Sequence, residues 1–93
     1  MRFIVGDLVY DTEKASLLCS GEKDWEVRTF YGKYNVSRKT YLYKTKKGNY
    51  FFVYVGDYDH YYMRPCTESE AKAWFSRVDY DAYAKMFGEL EEA

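Results

Sequence analysis

The sequence predicts an α+β fold, an antiparallel β-sheet built from hairpins with two short C-terminal helices packed on one face. Three observations point there. First, Thr40-Tyr41-Leu42-Tyr43-Lys44-Thr45 and Tyr50-Phe51-Phe52-Val53-Tyr54-Val55 are β-branched and aromatic runs joined by Lys46-Lys47-Gly48-Asn49, the composition of a hairpin with a short glycine-containing loop. Second, Thr67-Glu68-Ser69-Glu70 has the form of a capping box, and Ala71, Trp74, Phe75 and Val78 follow at i, i+3, i+4 and i+7, one helical stripe facing a core. Third, Asp79 is placed to cap a further helix in which Tyr83, Met86, Phe87 and Leu90 repeat that spacing and Gly88 ends it.

Taken in chain order, Arg2 to Thr12 alternates around Phe3, Val5, Leu8 and Tyr10, with Gly6-Asp7 between two apolar runs, which reads as a tight hairpin or a bulged strand. Asp11-Thr12-Glu13-Lys14 supplies turn chemistry, because Asp and Thr side chains bond nearby backbone N–H groups. Ala15 to Ser20 is a strand ended by Gly21; Trp25, Val27 and Thr29 alternate over a short stretch; Gly32 to Lys39 reads as loop. The strand Tyr50 to Val55 is apolar on both faces and belongs in the centre of the sheet. Gly56-Asp57-Tyr58-Asp59 is a turn, and His60 to Arg64 is one more strand, ended by Pro65 through the loss of a ladder donor. Alternation puts Tyr61 and Met63 on a buried side and His60, Tyr62 and Arg64 on an exposed one.

Residues 1–93 form a single domain: 1–66 mainly β, 67–90 helical, and 91–93 a mobile acidic tail. A chain of this length has a thin core, so large side chains must supply much of it. Twelve Tyr, six Phe and two Trp do so, and leave rings over for the surface. The surplus of Tyr fits a binding interface, and it fits equally the pleated face of a half-exposed sheet. It also makes a homodimer a reasonable expectation.

The net charge is only −1, but it is unevenly placed: residues 23–50 carry eight basic and two acidic side chains, whereas residues 57–93 carry four basic and nine acidic. Such asymmetry either gives a basic face that steers an anionic partner or lets the acidic helices lie against the basic hairpin and cancel it. No secretory signal and no membrane-length apolar run stands in the sequence, so a cytoplasmic location with Cys19 and Cys66 reduced is expected. Cys19, His60 and Cys66 are too scattered for a zinc site, and neither a metal nor a cofactor is expected.

Asp57, Asp59 and His60 can be read as a carboxylate-imidazole pair of a small hydrolase, and equally as a polar turn; no nucleophile motif or phosphate-binding glycine loop accompanies them, so a non-enzymatic protein is the expectation. The more telling constellation is Lys39, Tyr41, Tyr43, Lys44, Lys46, Lys47 and Tyr50, cations interleaved with rings on one hairpin. That pattern suits a nucleic acid or nucleotide, by charge neutralisation and stacking, and suits an acidic protein groove as well. Lysines at a hairpin tip also serve solubility alone. His60, Tyr62 and Arg64 make a secondary contact surface of residue types enriched at interface hot spots.

The opening Met1 to Ala15, the segment Tyr43-Lys44-Thr45-Lys46-Lys47-Gly48-Asn49-Tyr50-Phe51, and the closing Thr67 to Trp74 with Phe87-Gly88-Glu89 resemble, in order, a group of short uncharacterised proteins carried by phages and other mobile elements of gut bacteria. The resemblance implies an accessory protein of a mobile element that blocks host defence by binding a nuclease complex or a signalling molecule, with a host protein or ribonucleoprotein as the expected partner, for example as a defence inhibitor of the anti-CRISPR type. It carries over no catalytic residue.

Overall fold

Long strands form where β-branched and aromatic residues alternate with polar ones, and here that alternation runs further than its apolar half discloses. The computed structural model describes residues 1–93. Strands β1 (Arg2–Val5) and β2 (Leu8–Asp11) make a small separate hairpin. Strands β3 (Ser16–Thr29), β4 (Gly32–Lys44), β5 (Tyr50–Val55) and β6 (Tyr61–Cys66) make an antiparallel sheet in the order β3-β4-β5-β6. Helices α1 (Glu68–Val78) and α2 (Tyr80–Phe87) follow, so the predicted α+β class is what the chain adopts.

Strand β5 is central because both of its faces are covered. Phe51 and Val53 pack with Tyr10, Phe3 and Met63 beneath the small hairpin, while Tyr50 and Phe52 pack with Trp74, Phe75 and Tyr83 beneath the helices. The result is three layers, with the main sheet in the middle. Fully burying each such side chain contributes about 1.5–3 kcal/mol, which is how a short chain assembles a sufficient core from a few rings.

Helix α1 begins as its capping box requires: the Glu70 N–H donates to Thr67 Oγ1 at 3.1 Å, and the Thr67 N–H donates to Glu70 Oε1 at 3.3 Å. Ala71, Trp74 and Phe75 are buried as the stripe predicts. In α2 only part of the expected stripe holds. Tyr83 is buried and Phe87 packs beside it, but Met86 is exposed on the helix, and Leu90 is exposed because Gly88 ends the helix at φ +91° before it.

Three readings are corrected by the fold. Gly21 does not end β3; it sits under α1, where an added Cβ would lie 3.0 Å from Val78 Cγ1, so the glycine serves a close helix approach. Residues 32–39 are not a loop but the first part of β4, paired with β3 from Thr29↔Gly32 to Glu22↔Lys39. Pro65 lies within β6, paired with Phe51, and the edge position tolerates it since one side of β6 has no neighbour.

Because β5 pairs with β4 only from Thr40 to Lys44, residues 22–39 leave the sheet as a two-stranded ribbon. The shape records this: the radius of gyration is 14.3 Å and the extents are 43 × 33 × 21 Å, against roughly 12 Å for a compact chain of this length.

Candidate contact surfaces

The basic, Tyr-rich stretch does not form one surface. Tyr41 and Tyr43 are half-buried beside the small hairpin, and alternation puts Lys39 on that side with them. Lys44 pairs with Tyr50 on the opposite side, and Tyr50 is part of the core beneath the helices. The Lys44 ammonium rests 5.6 Å from the centre of the Tyr50 ring. Tyr43 stacks on Phe51 at 5.2 Å, and burial raises its phenol pKa. Tyr50 therefore acts in packing, and its ring is not available to a partner.

The lysines behave differently from the rings. Lys39, Lys44, Lys46 and Lys47 take part in none of the ion pairs of the molecule. Of the nine acids in residues 57–93, three are in ion pairs: Glu68 with Lys72 at 3.0 Å and Glu70 with Arg64 at 2.8 Å, both within the C-terminal part, and Asp57 with Arg38 of β4 at 3.0 Å, which neutralises one cation of the basic stretch. No carboxylate of the helices lies within ion-pair distance of the lysines of the β4–β5 hairpin.

Lys46 and Lys47 sit on a braced turn. The Thr45 N–H donates to the Asn49 carbonyl at 2.8 Å, the Gly48 N–H to the Thr45 carbonyl at 3.0 Å, and the Asn49 N–H to Thr45 Oγ1 at 3.0 Å. The positive φ of +88° at Gly48 closes the turn. Between it and the small hairpin lies a cleft of about 530 Å³ whose lining includes Arg2, Lys14, Lys46 and Lys47.

The ribbon presents the second surface. At its tip Phe30 is 97% and Tyr31 95% exposed, with ring centres 5.5 Å apart. The tip is ordered by its own hydrogen bonds: Thr29 Oγ1 donates to the Gly32 carbonyl at 3.0 Å and accepts the Tyr31 N–H at 3.2 Å. Arg28 and Lys33 flank it, both within 4 Å of the Glu26 carboxylate, at 3.5 and 3.8 Å. Tyr34 adds a half-exposed ring. Sequence reasoning finds the alternation of Trp25, Val27 and Thr29 but misses this site because residues 32–39 read as loop, Tyr34 and Val36 being the only large apolar side chains among Gly32, Asn35, Ser37 and the cations Lys33, Arg38 and Lys39. The available signal was the Phe30-Tyr31 pair directly before Gly32, two large rings at a turn.

At its root the ribbon is held by Trp25. Its ring stacks on Tyr54 at 4.0 Å and meets Phe52 edge-on at 5.7 Å, and Tyr54 in turn stacks on Tyr62 at 5.6 Å. The Lys23 ammonium and the Arg64 guanidinium lie 4.3 and 5.3 Å from the centre of the Trp25 ring. Burial lowers the Lys23 pKa, and Arg64 adds to that. Of the secondary surface, His60, Tyr62 and Arg64 are exposed as expected. Tyr61 is exposed as well, contrary to expectation, because the small hairpin covers Phe51, Val53 and Met63 but stops short of it.

Asp57 is held by Arg38, and Tyr58 and Asp59 occupy the left-handed region at φ 57° and 58° in a short 3-10 turn beside the exposed His60. No three His, Cys, Asp or Glu side chains converge in a way that holds a metal ion. Burial pushes the Cys19 thiol up to about 12, with Asp79 adding to it, and the Cys66 thiol to about 11, with Glu70 adding. Neither thiol is a nucleophile in that state. No helix is long and apolar enough to cross a membrane.

The fold and these surfaces define an α+β domain with a braced, projecting β-ribbon and a cationic cleft at the opposite end of β4. Comparison with protein-family models, with curated proteins and with solved structures returns no match.

Proposed function

We propose that the chain is a small non-enzymatic binding protein of the kind carried by phages and mobile elements, a host-defence inhibitor of the anti-CRISPR type that occupies a surface of a host protein or ribonucleoprotein. The observation that carries this reading is the ribbon tip, where Phe30 and Tyr31 stand out of the fold with no partner of their own except each other. Large rings held ready on an ordered turn lose little conformational entropy on binding, and they are the residue class that dominates interface energetics. The rings make the contact, while unpaired Lys39, Lys46 and Lys47 steer an anionic partner. A photo-crosslinking residue at position 30 tests the reading: it captures the host partner through the tip, whereas one at position 85, on α2, does not. Equal capture from both positions would remove the ribbon from the account.

Direct nucleic-acid binding is the second reading, and the unpaired lysines favour it. It predicts affinity for an oligonucleotide that falls steeply between low and moderate salt. A host-protein complex dominated by the Phe30 and Tyr31 rings changes far less over the same range.

A further inference from the structure

We infer that the cleft between the small hairpin and the β4–β5 turn is a binding site for a nucleotide carrying two or more phosphate charges. This goes beyond the ribbon-tip reading and concerns the opposite end of β4, whose 13 residues extend roughly 40 Å at ~3.3 Å each.

The convergence of charge is the first argument. Arg2 and Lys14 come from the N-terminal segment, Lys46 and Lys47 from a turn about thirty residues later, and the tertiary fold brings all four to one cleft. None of the four is in an ion pair. Like charges gathered from separate elements repel one another, and a bound polyanion reverses the sign of that term.

The backbone that carries them is closed by its own hydrogen bonds. The Thr45–Asn49 turn is closed by three hydrogen bonds, and on the facing side the Lys14 and Ala15 N–H groups donate to the Asp11 carbonyl at 3.2 and 3.0 Å while the Thr12 N–H donates to the Met1 carbonyl at 2.9 Å. Phosphate recognition by such a cradle needs little further ordering.

The rest of the lining selects more than phosphate. Leu8 and Val9 form an apolar wall, Thr45 and Asn49 offer neutral polar groups, and Asp7 and Asp11 are acceptors in the same cleft. Carboxylates weaken a pure phosphate site, so their presence favours a ligand that also brings donors, as ribose hydroxyls and base amino groups do. The volume of about 530 Å³ lies within the range of about 300–1,000 Å³ usual for small-molecule sites.

Calorimetric titration of the intact chain with ATP, pyrophosphate, adenosine and a ten-residue thymidine oligonucleotide tests the proposal. ATP binds measurably and more tightly than pyrophosphate, and adenosine does not bind. K46E/K47E and Lys14→Glu each weaken ATP binding by tenfold or more, with an unchanged thermal midpoint. The pair F30S/Y31S leaves ATP binding untouched, which separates this site from the ribbon tip. The proposal is overturned by absence of ATP binding, by pyrophosphate binding as tightly as ATP, by ATP affinity indifferent to K46E/K47E, or by the oligonucleotide binding more tightly through the same lysines.

Discussion

Trp25 donates its indole N–H to the Thr40 hydroxyl at 2.9 Å, and the Thr40 O–H in turn donates to the Arg38 carbonyl at 3.0 Å. Thr40 is fully buried, so this short chain of hydrogen bonds has no water to replace it. It ties the root of the ribbon to the last strand pair that the sheet body flanks. Thr40→Val keeps the shape and leaves a buried indole donor unsatisfied, which costs about 1–3 kcal/mol. Urea denaturation reads that loss, and Thr40→Ser, which keeps the hydroxyl, recovers most of it.

Gly21 and Val78 form the close approach of α1 to β3. Gly21→Ala forces Val78 aside and destabilises the domain by about 1–3 kcal/mol, the usual range for overpacking. Combined with Val78→Ala, the same change costs less than the two single effects together. Strict additivity in that cycle would show that the helix does not rest on the glycine.

Alkaline pH weakens the fold through its thiols. Cys19 and Cys66 have folded pKa values raised to about 12 and about 11 from the ordinary 9.0. In that window the unfolded chain has released protons that the folded chain retains, so stability is intact below pH 9 and falls as pH rises toward the folded values. The thermal midpoint drops over this range, and Cys19→Ala removes part of the drop. Both thiols are slow to react with a disulfide reagent at pH 8 until denaturant is added.

Much of the scaffold was legible from the chain itself. The capping box, the α1 stripe and the double-faced strand β5 each combine local propensity with the burial that the fold imposes, so pattern and structure agree. Of the ribbon only the Trp25, Val27 and Thr29 alternation of β3 showed, because the facing residues 32–39 carry too few apolar side chains to read as a strand, and Gly21 misled because a glycine under a helix looks like a glycine at a turn. The lysines of the expected site do lie free of ion pairs. Its tyrosines were misjudged for a physical reason: Tyr41 and Tyr43 share the face under the small hairpin whereas Tyr50 lies on the helix face, and both faces are covered there. Phe30 and Tyr31, in no apolar pattern at all, are with Tyr58 the rings left most fully outside.

The central claim is that the ribbon tip makes the functional contact, and F30S/Y31S addresses it most directly. Neither ring packs on the domain body, so the variant keeps the wild-type unfolding free energy within the small change typical of surface substitutions, about 0.5 kcal/mol. Two hot-spot rings at ~2 kcal/mol each predict that affinity for the host partner captured by the wild-type chain falls by about a thousandfold in surface-plasmon titration. A folded F30S/Y31S protein that binds that partner within twofold of wild type would contradict the account.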